Sequence, residues 1–154
     1  MSLNSIHKSP ITASLTAIAL CFFFSTASAQ QTEQINGHVV HYNTLNTNLL
    51  PPDVARSYGI QRSANRALLN IAVLRPENDG LSTPVTARVS AVATNLAGQR
   101  RVIDMQEIHD QEAIYYIGTF RIHDQEHLNF RIEVQPEGTT RSREFTFRQQ
   151  FYIN

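Results

Sequence analysis

Two groups of side chains have the types and spacing to hold a ligand. The first is the run Tyr58-Gly59-Ile60-Gln61-Arg62-Ser63-Ala64-Asn65-Arg66-Ala67-Leu68-Leu69-Asn70, where Arg62 and Arg66 stand between Tyr58 and Asn70. A guanidinium presents its donors as a planar fork that matches a carboxylate or phosphate, and a phenol or amide nearby adds hydrogen bonds. Tyr58, Arg62, Arg66 and Asn70 are therefore candidates for binding a small anionic ligand. The competing use of the same arginines is to pair with the domain's own acids and pin a long connection down. The second group is His123 and His127, which bracket Asp124 and Glu126. Imidazole and carboxylate donors suit zinc or copper.

The other histidines are less promising. His38 and His41 are three apart, with Val39-Val40 between them favouring a strand, and on a strand such residues point to opposite faces. An echo, Ile108-His109-Asp110-Gln111-Glu112 and Ile122-His123-Asp124-Gln125-Glu126, invites a paired metal or acid/base site. If one strand separates the copies, however, they lie at opposite ends of a sheet, roughly 20 Å or more apart. Both then read as polar turns. The chain has no G-x-S-x-G, S-x-x-K, P-loop or G-x-G-x-x-G pattern, so no nucleophile or phosphate loop announces an enzyme. The expectation is a non-catalytic protein without a cofactor.

Where the chain works follows from its first 29 residues. His7 and Lys8 precede an uncharged run, Ile11 to Phe24, and Ala27-Ser28-Ala29 supplies a small-x-small site. That order is a secretory signal peptide cleaved after Ala29, and the apolar run is too short for a membrane span. A lipid anchor on Cys21 is disfavoured by Leu20, which stands where such signals need a small residue. Cleavage leaves a single domain, 30–154, with 12 arginines, 13 acids and no lysine or cysteine. Met105 is its only methionine, which leaves a soft copper site poorly equipped. A thiol-free chain suits an oxidising compartment, and near-neutral charge argues against nucleic acid. The mature chain carries no second long apolar stretch, so no membrane span is expected. The partner is an unidentified envelope protein or a small anionic ligand, met in the periplasm.

The elements that must position the candidates are mostly strands. Gly37 to Tyr42 reads as a first strand after a frayed polar start. Pro52 to Gly59 reads as a short helix, with Pro52 at an early position, Asp53 at the positive end and Gly59 as the stop. From Ala67 onward, apolar residues alternate: Leu69, Ile71, Val73; then Val85 to Ala93; Arg101 to Glu107; Ile114 to Phe120; Leu128 to Val134; and Phe145 to Phe151. Turns at Asn78-Asp79-Gly80, Asn95 to Gly98 and Pro136-Glu137-Gly138 separate them. Period-two alternation with regular turns predicts an all-β fold, an immunoglobulin-like antiparallel β-sandwich of about seven strands, with one short helix before the second strand. Phe145, Phe147, Phe151 and Tyr152 belong to its core and edge rather than to a ligand platform.

Several of these segments also carry a resemblance. Tyr58-Gly59-Ile60, Arg62-Ser63, Arg66 to Asn70, Ala93 to Leu96 with Gly98, Ile114 to Ile117, Val134 to Gly138 and the terminal Phe147-x-Gln149-x-Phe151-Tyr152 are similar to a family of small secreted Gram-negative bacterial proteins. It is catalogued as a domain of unknown function, family number 4426. The similarity runs in order through the whole mature chain. It implies periplasmic residence and a β-sandwich, and carries over no activity, ligand or catalytic residue.

Overall fold

The computed structural model describes residues 31–153, and the leader expected over 1–29 lies outside them. Along the chain come β1 (Gln31–Ile35), β2 (His38–Asn46), a 3₁₀ turn (Thr47–Leu49), α1 (Pro52–Ser57), β3 (Arg66–Pro76), β4 (Ser82–Pro84) and β5 (Ala87–Asn95). They are followed by β6 (Arg100–Ile103), β7 (Gln106–Asp110), β8 (Ala113–Arg121), β9 (Glu126–Pro136) and β10 (Arg143–Phe151). Every pairing is antiparallel. The larger sheet runs β1-β2-β3-β8-β7, with β4 also on β3, and the smaller runs β10-β9-β5-β6. This is the antiparallel sandwich that the alternation predicts.

The strand count departs from the expected seven in three places, each with a local cause. The polar start expected to fray is β1, because Asn36 and Gly37 take φ of 49° and 78° and turn the chain into a tight hairpin. Both central residues of such a turn need positive φ, which Asn-Gly supplies at little cost. Arg101 to Glu107, expected as one strand, is two: β6 closes the smaller sheet and β7 crosses to edge the larger one. Gly118 on β8 makes room for that crossing, since a Cβ there would lie 2.5 Å from Ile103 Cγ2 and 2.8 Å from the Asp104 carbonyl oxygen. The third addition, β4, is a three-residue strand against the end of β3.

Between the sheets, alternate residues of each long strand interdigitate. Leu69, Ile71 and Val73 of β3 meet Leu128, Phe130, Ile132 and Val134 of β9, all fully buried. Phe130 stacks on Phe147 at 4.6 Å and meets Phe120 edge-on at 5.4 Å. Burying each such side chain contributes about 1.5–3 kcal/mol. Phe145 and Phe147 pack against this core and Phe151 lies within it, as the sequence implies, while Tyr152 is exposed.

Helix α1 begins with Pro52, carries Asp53 in its first turn and is followed by Gly59 at φ 64°. A glycine takes that left-handed conformation without the Cβ penalty, so the helix stops there as its sequence predicts. Leu50, Ala55, Val54 and Ile60 form a second apolar cluster with Leu68 and Ile117 on the outer face of the larger sheet. The connection from Thr47 to Asn65 is thus laid over that face rather than hanging free.

Candidate functional site

A cleft of about 430 Å³ lies where this connection meets the larger sheet, lined by Tyr58–Gln61, Arg66, Asp104, Gln106, Ile108 and Ile117–Thr119. Three stretches distant in sequence build it. Tyr58 to Arg66 lead from the end of α1 into β3, residues 117–119 are central in β8, and Asp104, Gln106 and Ile108 run from the crossover into β7. The phase of β8 decides what faces the cleft. Tyr116, Gly118 and Phe120 turn inward and are buried, so Ile117 and Thr119 turn outward.

Of the four candidates chosen from sequence, Tyr58 and Arg66 line this cleft, and Arg62 and Asn70 do not. The Tyr58 hydroxyl donates to Asp110 Oδ2 at 2.8 Å, tying the connection to the end of β7. That hydrogen bond, with burial and the Asp110 charge, raises the phenol pKa above its ordinary value. Arg66 is half-buried, and its Nη2 donates to Thr119 Oγ1 at 2.7 Å. Arg62 instead turns to the Asn48 carbonyl at 2.7 Å, holding the connection to itself. Asn70 donates from Nδ2 to Asn43 Oδ1 at 3.2 Å across the β2–β3 ladder, and its own Oδ1 is buried without a partner. Neither Arg62 nor Arg66 forms an ion pair with a carboxylate among the described residues. They make no ion pair with the domain's own acids there, although Arg62 does pin the connection, through a backbone carbonyl.

Asp104, Gln106 and Thr119 are cleft residues that sequence reasoning missed. Alternation gives Thr119 its outward phase, but nothing local says that β8 adjoins β3 or that β7 adjoins β8. A wider depression of about 780 Å³ crosses the outer face of the smaller sheet among Thr94, Arg100, Asn129, Arg131 and Arg148. Its walls are strand side chains and the Gly98 turn, with no connection folded over it.

The histidine candidates lie apart. His123 is exposed at the β8–β9 turn, where its Nδ1 is 3.2 Å from Glu126 Oε2. Glu126 is already held by Arg101, with Nη2–Oε1 at 2.6 Å and Nη1–Oε2 at 3.0 Å. His127 is the next residue of β9, and successive strand residues point to opposite faces, so it diverges from Glu126. Among the described residues no three His, Cys, Asp or Glu side chains stand close enough to share a metal ion. The two echoed segments differ: the first is the end of β7 running into a turn at Gln111 (φ 54°), the second is the turn at Gln125 (φ 57°), and these turns stand at opposite ends of the nine-residue β8. At the usual rise, roughly 30 Å separates them.

The pKa values of two further groups are strongly shifted. Tyr116 is pushed up to about 12 by burial and by its hydrogen bond to Glu107, against an opposing hydrogen bond from the Ala87 N–H. Burial raises the Glu126 carboxyl, but hydrogen bonds from Arg101 and the His123 N–H outweigh it and bring the pKa to about 2. Arg101 Nη1 also donates to the Arg121 carbonyl at 3.1 Å, so this ion pair ties the edge of the smaller sheet to the end of β8.

Residues 32–154 match the family described as "Domain of unknown function (DUF4426)", and the chain belongs to that family. It is similar to a solved DUF4426 family protein, PA0388 from Pseudomonas aeruginosa PAO1, at 27% identity and TM-score 0.71, covering 81% of this chain and 96% of that one. It also shares its fold with FetP of uropathogenic Escherichia coli. A copper-bound variant is 12% identical with TM-score 0.56, covering 80% of this chain and 95% of that one. The as-isolated protein, expressed in the periplasm of E. coli, is 9% identical with TM-score 0.57, covering 80% and 93%. No curated protein matches the chain. No helix among the described residues is long and apolar enough to cross a membrane.

Proposed function

We propose that this member of the DUF4426 family is a non-catalytic binding module of the periplasm, and that the cleft between the Tyr58–Gln61 segment and β7–β8 is its binding surface. The observation that carries the reading is the cleft's construction. Three separate chain segments enclose it, and it holds an arginine that no acid of the described fold neutralises. The lining is mainly polar, with Arg66, Asp104, Gln106 and Thr119 beside Ile60, Ile108 and Ile117, and convergent polar groups in a concave site are what fix a ligand's orientation. Its lining has one carboxylate, Asp104, and no histidine or cysteine. That equipment suits holding a ligand better than turning one over, because acid–base or nucleophilic catalysis needs a paired partner. Export to the periplasm rests on the leader sequence at residues 1–29.

The experiment is native mass spectrometry of the protein after incubation with the low-molecular-weight fraction of an envelope extract. A discrete adduct on the wild type that is lost in Gln106→Trp, a substitution of an exposed wall residue, supports the reading. An adduct that survives the substitution, or none, overturns it.

The copper bound to the FetP variant keeps metal handling by His123 and His127 as a second reading. Calorimetric titration with Cu(II) and Zn(II) tests it. Sub-micromolar binding lost in the His123→Ala, His127→Ala double variant would favour it over the cleft.

A further inference from the structure

Arg66 has a neighbour that the sequence did not suggest. In the β3–β8 ladder, Arg66 is directly opposite Arg121. Facing residues of an antiparallel pair emerge on the same side with their Cβ atoms about 4.5–5.5 Å apart. That side is the outer one, because the next ladder pair, Ala67 and Phe120, is buried in the core. Two guanidinium-bearing side chains therefore leave one spot on the sheet together. Like charges so placed cost stability unless something neutralises them. Neither has a carboxylate partner among the described residues, and Asp104, the one acid of the cleft lining, pairs with neither. Arg66 spends one Nη2 hydrogen bond on Thr119, and the Arg121 side chain makes none among the described residues. The Thr119 hydroxyl, accepting from Arg66, keeps its own proton to donate.

We propose that Arg66 and Thr119, which line the cleft, form with Arg121, which stands opposite Arg66 just outside that lining, an oxyanion subsite taking the carboxylate or phosphate group of a small ligand. This rests on the cleft as binding surface and names the chemistry of what enters it. The two forks donate to one planar or tetrahedral anion, and Thr119 adds an O–H donor from the floor.

The probes are inorganic phosphate and acetate, titrated separately into ¹⁵N-labelled protein while the arginine Nε–H and Thr119 amide resonances are followed by NMR. Saturable shifts at Arg66, Arg121 and Thr119 are expected with at least one probe. Charge-assisted hydrogen bonds predict about tenfold weaker binding in each of Arg66→Gln and Arg121→Gln. Arg121 is exposed, so its variant keeps the fold even if Arg66→Gln does not. Phosphate saturating without acetate identifies a phosphate ligand, and acetate saturating identifies a carboxylate. Non-saturating shifts with both probes overturn the subsite, as does binding unchanged in Arg121→Gln. Free anions need no extract, so the subsite and the wider reading of the cleft can fail separately.

Discussion

Replacing Glu126 by glutamine tests the ion pair that ties the edge of the smaller sheet to the end of β8. The Glu126 side chain is 10% exposed and Arg101 21%, so solvent screens the pair only weakly. Its carboxyl falls from an ordinary 4.5 to about 2 in the folded protein. A drop of that size corresponds to about 3 kcal/mol of stability. Because folding lowers this pKa, the contribution is complete above pH 4.5 and is lost as pH falls toward 2. Glutamine keeps the shape and removes the charge. Urea denaturation of both proteins should therefore show a gap of about 3 kcal/mol at pH 7 that has fallen by roughly half at pH 3. In a domain whose total stability is on the order of 10 kcal/mol, that gap is easily resolved. A gap that stays constant with pH, or one below about 0.5 kcal/mol at pH 7, would refute the reasoning by making the pair no better than an exposed surface bridge.

Three further outcomes are expected. Gly118→Ala drives a Cβ to 2.7 Å from Met105 Sδ and 2.8 Å from a backbone oxygen, and should cost about 1–3 kcal/mol in the same urea assay. Tyr116→Phe leaves the Ala87 N–H, now 2.6 Å from the phenol oxygen, without its acceptor, and should cost about 1–2 kcal/mol by urea denaturation. Arg62→Ala, outside the cleft, should change the affinity of any cleft ligand by less than about twofold in calorimetry and cost under about 1 kcal/mol.

The sandwich was legible because its signals are local. Leu69-Ile71-Val73 and Leu128 to Val134 each alternate cleanly, and Pro52 with Gly59 brackets one short helix. What stayed hidden depends on contacts between distant segments. The β6–β7 crossover at Asp104 and Met105 needs Gly118 beneath it, and that glycine lies well downstream in sequence. β1 was a different kind of omission, since the Asn36-Gly37 turn was there to be read and its polar flank masked it. Of the site, Tyr58 and Arg66 were visible as a chemically suggestive pair in one segment. Arg121 was not, because only the β3–β8 register sets it opposite Arg66. Arg62 misled for a related reason. Its spacing from Arg66 suggests a shared ligand, yet it precedes β3 and turns back to Asn48.

Amide hydrogen exchange of the protein, with and without the low-molecular-weight envelope fraction, tests most directly whether the cleft is the binding surface. Slowed exchange at residues 58–61, 104–108 and 117–119 is the predicted result. Protection confined to residues 123–127, or no protection anywhere, would contradict it.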